Sequence, residues 1–480
     1  MKVLFAASEV YPFMKTGGLA DVAYALPKAL RQLGIDVRVI MPNYGDINVR
    51  YKERMEKICS FSVPVGWRNQ YAGLLYLEED GIPFYFMDNE YYFKRNEGSY
   101  GYYDDGERFA YFSRGVLESI KYIEDFKPNI IHCNDWHTGI IPVLLREHYS
   151  SDETYKKIKT IFTIHNLKYQ GAFAKETLGE LLSLGENYFS EDKLKYYDGI
   201  SFMKGGIVFS DIVTTVSDTY AKEIKTPDYG EGLHGLLNEV GYKLYGITNG
   251  IDYDLYNPKY DKEIDFNFDE NNIEYKCKNK MELQKKLGLP VKEDIPMIGI
   301  ISRLVQQKGF DLICSVMDEL MNLNMQLVIL GTGESKFEDM FKYYANRYPN
   351  KVSSNIFFSN ELAQKIYASS DMFLMPSQFE PCGIGQLIAM RYGSIPIVRE
   401  TGGLKDTVHS YNECTGEGNG FSFTNYNAYD MLYTIKRSID FYNNKDIWNG
   451  LVNKSMREDN SWNKSANKYI ELYDKLLWGN

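Results

Sequence analysis

The chain has 480 residues, with 54 lysines and arginines against 65 aspartates and glutamates, a formal net charge of −11. That acidic balance argues against a nucleic-acid binder, which carries a basic face, and 44% hydrophobic with 25% charged residues is globular composition that excludes a disordered chain. The length suits two or three domains of roughly 100 to 200 residues, each able to bury a core.

In chain order, Val3 to Ala7 is a short apolar run predicted as a strand, and Glu9 ends it too soon for the apolar stretch of a secretory signal. A glycine-containing loop leads into the amphipathic stretch Asp21 to Leu33, predicted as a helix ending at Gly34. The β-branched run Val37 to Ile40 follows, so the order is strand, loop, helix, strand. The pattern recurs. Ile130 to Cys133 runs into Asn134-Asp135-Trp136-His137, Thr160 to Ile164 into His165-Asn166, and Ile212 to Val216 reaches Ser217. Compact runs rich in valine and isoleucine, separated by helical patterns, are what a parallel sheet covered on both faces requires.

Tyr256 to Asn272 is acidic, rich in asparagine and without apolar period, and reads as a loop or linker. A second series then begins, with strands at Met297 to Ser302, Gln326 to Leu330, Met372 to Met375 and Ile395 to Val398, and a helix at Phe310 to Leu320. The pattern predicts an α/β chain of two open parallel-sheet domains facing each other across a cleft. Trp462 to Leu477 carries Ala466, Tyr469, Ile470, Tyr473, Leu476 and Leu477 at helical spacing, a face that must pack on something. Nowhere do about 18 apolar residues run together, as a membrane span needs. The six cysteines are scattered without a C-x-x-C pair, which fits neither a zinc site nor a disulfide framework and suits a reducing cytoplasm.

Ligands of open parallel sheets bind outside the carboxyl ends of the strands, so polar residues just after strands are the informative ones. Lys15-Thr16-Gly17-Gly18-Leu19-Ala20-Asp21 follows the first strand and opens a helix, where backbone N–H groups suit an anion. A lone Gly-Gly pair before a helix is a weak signal, more often the mark of a plain turn, and no dinucleotide fingerprint or phosphate loop occurs. Arg303 and Lys308 follow the Met297 strand; they suit a phosphate or a surface salt bridge. In a chain of this net charge an anionic ligand needs local cations, and Arg303, Lys308 and Lys15 could supply them across the cleft. Glu380-Pro381-Cys382-Gly383-Ile384-Gly385-Gln386 follows the Met372 strand and precedes a helix at Leu387 to Tyr392, and Thr401-Gly402-Gly403 repeats the arrangement after the Ile395 strand. Glu380 reads as a sugar-hydroxyl ligand or as a helix cap, His165 as a site residue or a packing residue. Asp135 and His137 with His132 superficially resemble metal ligands, but alternation along a strand points them to different sides. There is no G-x-S-x-G elbow, so covalent hydrolase chemistry has no support.

These residues together resemble the bacterial and plant glycogen/starch synthases. The likeness is carried by Lys15-Thr16-Gly17-Gly18-Leu19-Ala20-Asp21-Val22, Asp135-Trp136-His137-Thr138, His165-Asn166-Leu167 with Tyr169-Gln170-Gly171, Thr215-Val216-Ser217, Asn249-Gly250-Ile251-Asp252, Ser302-Arg303-Leu304 with Gln307-Lys308-Gly309, and Phe379-Glu380-Pro381-Cys382-Gly383. It is collinear from Val3 to about Leu477. The resemblance implies the GT-B architecture of two Rossmann-like domains, here 1–248 on the acceptor side and 249–458 on the nucleotide-sugar side. It also implies a terminal segment, 459–480, that crosses back to the first domain. It implies metal-independent, cofactor-free transfer of glucose from ADP-glucose to the non-reducing 4-OH of an α-1,4-glucan, with retention by front-face attack. Glu380, His165, Arg303 and Lys308 would form the catalytic set. Arg303 and Lys308 would hold the diphosphate, with Lys15 helping; Glu380 and His165 would bind glucosyl hydroxyls, with Asp21, Asp135 and Asn249 nearby. Cys382 and Gly383 would lie beside the diphosphate and sugar and Phe358 against the adenine, and Gly17, Gly18, Thr401, Gly402 and Gly403 would complete the donor-binding set. Ala20 and Gly385 depart from the family pattern, which has glycine and a hydroxyl residue there. The expected partners are ADP-glucose and glycogen in the cytoplasm, without nucleic acid or membrane. A pyridoxal-phosphate-dependent phosphorylase of the same architecture, or a non-catalytic glucan-binding scaffold, are the rival readings.

Overall fold

The computed structural model describes residues 1–95 and 98–479; Asn480, the end of the predicted terminal segment, lies outside them. The chain forms two compact units, one of Met1–Asn249 with Trp462–Asn480 and the other of Gly250–Ser461. Its strands are, in order, β1 (Lys2–Ala6), β2 (Asp36–Pro42), β3 (Glu56–Val65), β4 (Arg68–Glu79), β5 (Ile82–Asp88), β6 (Ile130–Asn134), β7 (Lys159–Ile164), β8 (Ala172–Ala174), β9 (Lys195–Tyr196), β10 (Gly199–Ser201), β11 (Ile212–Thr215), β12 (Leu244–Gly246), β13 (Met297–Ile301), β14 (Gln326–Leu330), β15 (Val352–Asn355), β16 (Met372–Met375), β17 (Ile395–Arg399) and β18 (Phe421–Phe423).

In the first unit a sheet runs β12-β11-β7-β6-β1-β2-β5-β4-β3. Every pairing from β12 to β5 is parallel, while β5-β4 and β4-β3 are antiparallel. The antiparallel extension was not foreseen. β3 and β4 carry exposed charged and polar residues on one face and Pro64 inside β3, so they lack the continuous apolar run that marks a buried parallel strand. The predicted strands Val3–Ala7, Val37–Ile40, Ile130–Cys133, Thr160–Ile164 and Ile212–Val216 all lie in this sheet. Their side chains are buried because helices cover both faces, and Val3, Phe5, Ile131, Ile161 and Val213 are fully shielded.

The second unit is a six-stranded sheet in the order β15-β14-β13-β16-β17-β18, wholly parallel. Counted from β13 this is the 3-2-1-4-5-6 arrangement of a doubly wound fold, with its reversal between β13 and β16. The helix predicted at Phe310 to Leu320 is two short helices, Phe310–Ser315 and Met317–Met321, interrupted at Val316. The helix predicted at Asp21 to Leu33 starts earlier, at Gly18. The stretch 256–272 is a loop, as expected, but a tied one. Ile264 and Phe268 join the core, and Asn279 Oδ1 accepts the N–H groups of Asp265 (3.1 Å) and Phe266 (3.0 Å).

The helix Trp462–Trp478 belongs to the first unit and packs on the helix Gly18–Gln32. It buries Trp462, Ala466, Tyr469, Leu472 and Tyr473. Ile470 and Leu476 of the predicted face are only part-buried and Leu477 likewise, because the contact stripe is narrower than the apolar one. Beneath it His132 Nδ1 meets Tyr473 Oη at 2.8 Å and His132 Nε2 meets Thr163 Oγ1 at 2.7 Å, all buried. Tyr473→Phe therefore leaves a buried imidazole nitrogen unpartnered and should cost about 1–3 kcal/mol in urea unfolding, with little change in packing volume. An unchanged midpoint would show that the pair contributes nothing net.

Candidate functional site

In each unit the candidate residues gather at the carboxyl ends of the strands flanking the reversal of strand order. In the first unit these are β1 and β6, with β7 alongside; in the second, β13 and β16, with β14 and β17 alongside. Crossover connections leave the sheet in opposite directions there, and the gap between them is where open sheets receive ligands.

After β1 the chain turns on Glu9, a nearly fully buried carboxylate. It accepts the Thr16 N–H at 2.7 Å and the Thr16 hydroxyl. Burial raises its pKa above the ordinary carboxylate value, opposed by these bonds. Gly17 caps the helix Gly18–Gln32 without a side chain of its own, and the Glu9 carboxylate takes backbone N–H groups of Gly17 and Ala20 at the helix start. Lys15 Nζ donates to Asp21 Oδ1 at 2.7 Å. Burial also raises the pKa of Asp21, with Lys15 opposing, and its Oδ2 is buried without a hydrogen-bond partner.

β6 ends at Asn134, and Asp135 follows with φ 56° and ψ 179°, a conformation costly for any residue with a Cβ. The strain is held by bonds on both sides. Asp135 N–H donates to Thr163 O (2.9 Å), while its carboxylate accepts the backbone N–H of His165 (2.8 Å) and of Asn166 (3.4 Å). His165 Nε2 lies 2.9 Å from Asn134 Oδ1. Burial pushes the His165 imidazole down to about 3, so it is neutral. Asn249, the last residue of this part of the unit, is buried with Oδ1 unpartnered.

His132, Asp135 and His137 are dispersed. His132 is buried against Tyr473, and Asp135 binds the β7 loop. His137 lies on a one-turn 3-10 helix, Trp136–Thr138, with its ring between Tyr100, Phe109 and Trp136. Strand alternation is therefore not what separates Asp135 from His137, since β6 stops at Asn134.

Burial, opposed by the His165 and Asn166 N–H bonds, raises the Asp135 carboxyl to about 7. Above its unfolded pKa the folded protein holds a proton that the unfolded chain releases, so stability is lost as pH rises from about 4 through 7. An asparagine at this position would keep the acceptor oxygen without the charge. Asp135→Asn should therefore gain on the order of 1–2 kcal/mol near pH 8, discounted for the part-exposed edge of the side chain, and nothing near pH 4. A gain equal at both pH values would refute burial of the charge as its cause.

In the second unit Lys308 Nζ donates to Glu380 Oε2 at 2.5 Å, and Ser377 Oγ donates to the same oxygen at 3.1 Å. Neither bond uses Oε1. The β13 and β16 loops are stitched together beside this pair: Gln378 N–H donates to Gln307 O (2.9 Å) and Gln307 Nε2 to Phe379 O (3.3 Å). Arg303 is exposed, and among the described residues no carboxylate or other partner holds its guanidinium. Of the three cations expected to form a cluster, Lys15 and Lys308 are thus each already paired with a carboxylate of their own unit.

The loop Glu380–Gly383 lies on the start of the helix Gly402–Thr407. Gly403 N–H donates to Glu380 O (3.2 Å) and Pro381 O (3.1 Å). A Cβ on Gly402 would stand 1.9 Å from Glu380 O, and one on Gly403 2.1 Å from Cys382 O. These glycines thus have a packing role, and Thr401 beside them is buried. Cys382 is buried as well. The next helix is Gly385–Arg391, two residues earlier than predicted, and Gln386 fills its start, donating to Cys382 O (3.2 Å), Gly383 O (2.9 Å) and Thr407 Oγ1 (3.1 Å). Gly385 abuts Phe373, Tyr367 and Met375, which leaves little room for a side chain, and Ala20 is wholly buried. Phe358, just beyond β15, is 81% exposed, a bare aromatic face.

Sequence reasoning missed Glu9, Asn134, Ser377 and the pair Gly331 and Gly333 after β14. Gly331 has φ 155°, and its Cβ would stand 1.8 Å from Ser302 O, so it lets the β14 end run against the Arg303 loop. Glu9 left a legible signal, a carboxylate directly after a buried strand. Asn134 left the same positional signal at the end of its strand but none of its role, because His165 is distant in sequence, and Ser377 left neither.

The family described as Starch synthase catalytic domain matches residues 2–239, and that described as Glycosyl transferases group 1 matches residues 280–446. A glycogen synthase of Clostridium acetobutylicum is 66% identical over 99% of this chain and 100% of its own length, and one of Caldicellulosiruptor bescii is 60% identical over 99% and 100%. Among solved structures, the catalytic domain of starch synthase IV from Arabidopsis thaliana, bound to ADP and acarbose, superposes with a TM-score of 0.91 at 35% identity, covering 99% of each chain. Sucrose-phosphate synthase from Thermosynechococcus elongatus shares the GT-B fold at a TM-score of 0.62 and 15% identity over 100% of both chains. No helix of the described residues is long and apolar enough to cross a membrane. With identity this high over the full length of its relatives, the chain belongs to the glycogen/starch synthase family of GT-B glucosyltransferases.

Proposed function

We propose that this enzyme transfers glucose from ADP-glucose to the non-reducing 4-OH of an α-1,4-glucan with retention of configuration, in the cytoplasm. The observation that carries the reading is the group at the β13/β16 reversal, where Lys308, Glu380 and Ser377 are bonded together and the β13 loop also carries Arg303, unpaired among the described residues. The ADP in the starch synthase IV structure supports an adenine nucleotide as donor, and the exposed Phe358 offers a stacking face for it.

Breaking the anomeric C–O bond places positive charge on the sugar and negative charge on the departing diphosphate. Arg303 and Lys308 stabilise that anion, and fixed cations act most strongly where charge develops. Glu380, with Oε2 occupied by Lys308 and Ser377, turns Oε1 to the sugar hydroxyls. His165 binds a further hydroxyl through its ring, Asp135 holding its backbone. Lys15, Gly17 and Gly18 assist the diphosphate, and Asp21 and Asn249 the sugar. The acceptor 4-oxygen bonds to the anomeric carbon on the face the diphosphate leaves, and its proton passes to a departing phosphate oxygen.

Glycogen primer offered ADP-, UDP- and GDP-glucose tests the reading. Chain extension with ADP-glucose at a kcat/KM at least about tenfold above the other two is the expected result. Equal use of UDP-glucose would overturn the adenine assignment, and no extension with any donor would favour a glucan-binding scaffold.

A further inference from the structure

Asn134, the last residue of β6, is wholly buried. Its amide nitrogen donates to Ala6 O at 3.0 Å and His132 O at 3.3 Å. Those two carbonyls fix which way the amide faces, since the opposite orientation would set Oδ1 against two other oxygens. Oδ1 is therefore the atom 2.9 Å from His165 Nε2, and as it can only accept, Nε2 must carry the hydrogen. A neutral imidazole has one N–H. Nδ1 is then a bare lone pair, and no protein donor among the described residues takes it. The two neighbours divide the work: Asp135 accepts the backbone N–H of His165, and Asn134 sets the ring.

We propose that Asn134 is a positioning residue that locks His165 in the Nε2–H tautomer, so that Nδ1 is presented as an acceptor to a hydroxyl of the bound glucosyl group. This rests on the reading of His165 as a sugar ligand and adds the direction of the bond: the hydroxyl donates. Asn134 touches no substrate atom in this scheme and acts only through the imidazole. Without Oδ1, the Nε2–H loses the one acceptor bonded to it among the described residues. The hydrogen would then move to Nδ1, the side open to water, which is the wrong form for accepting a hydroxyl.

The full chain labelled with ¹⁵N-histidine has six histidines to resolve, and His165 is identified by its loss in His165→Gln. A long-range ¹H–¹⁵N spectrum of the unmutated protein should show a protonated, pyrrole-type Nε2 and a pyridine-type Nδ1 for His165. The opposite tautomer, or an imidazolium near neutral pH, overturns the proposal without any variant having to fold. Asn134→Ala should shift His165 toward Nδ1–H and lower kcat about tenfold, the worth of one well-placed hydrogen bond, with donor KM within about twofold. The same replacement in a His165→Ala background should cost no more than about twofold. A tenfold loss in both backgrounds would mean that Asn134 acts through the strand, and the proposal falls. Full activity in His165→Ala alone would remove the sugar contact while leaving the measured tautomer intact, which separates the two failures.

Discussion

Arg303→Ala is expected to lower kcat/KM for ADP-glucose at least about 100-fold, roughly 2.7 kcal/mol of transition-state stabilisation, while leaving the unfolding midpoint within about 0.5 kcal/mol of the parent. The second half follows from its surroundings: the side chain is exposed and no described residue bonds it, so folding loses nothing when it goes. Lys308→Ala should cost as much in turnover but for two reasons at once. It removes a cation from the diphosphate and strands the Glu380 carboxylate, whose side chain is 9% exposed. Removing one partner of a buried pair costs about 3–5 kcal/mol, so this variant should also be visibly less stable. Adding Glu380→Gln to Lys308→Ala discharges the stranded group and should recover most of the stability but none of the activity. Steady-state kinetics with urea unfolding of the three variants decide the matter. Near-normal turnover in both single variants would remove these cations from the reaction.

Gly402→Ala is expected to abolish most activity, at least about 100-fold, although the residue carries no functional group. At φ 46°, with Glu380 O 1.9 Å from where a Cβ would stand, the methyl cannot be placed without moving the Glu380–Gly383 loop. That loop holds the carboxylate bonded to Lys308, and a shift of about 1 Å in a positioned group is enough for a loss of this size. A stability loss of about 2–4 kcal/mol should accompany it, from strain at a special backbone conformation. Gly18 is the internal control. Nothing lies within 4 Å of its Cβ position, so Gly18→Ala should fold as the parent does. Normal kinetics in Gly402→Ala would show that the loop does not depend on this close approach.

Much of this enzyme is legible in the order of its residues. The runs at Val3, Ile130, Thr160, Ile212, Met297, Gln326, Met372 and Ile395 are mostly apolar without alternation because both sheet faces are covered, and a pattern of that kind is a local property. The polar residues at their ends, Asp135, His165, Arg303 and Glu380, were legible for the same reason: a strand that stops at a charged or hydrogen-bonding residue marks the sheet's carboxyl edge. Their joint spacing carried the family.

Tertiary structure decided what those residues do to one another. β3 and β4 add antiparallel to the first sheet through side chains that are half solvent-facing, where no continuous apolar run exists to read. Lys308 meets Glu380 across 72 residues and His165 meets Asn134 across 31, and a charge or amide partner at such separations leaves no periodicity in the chain. Gly402 and Gly403 read as donor-site glycines from their place after a strand, and the backbone oxygens packed against them add a close-approach role that the order of residues does not show. Hydrophobic burial follows from the order of residues along one strand or helix; hydrogen bonds and ion pairs at the site follow from loops brought together only when the sheet has formed.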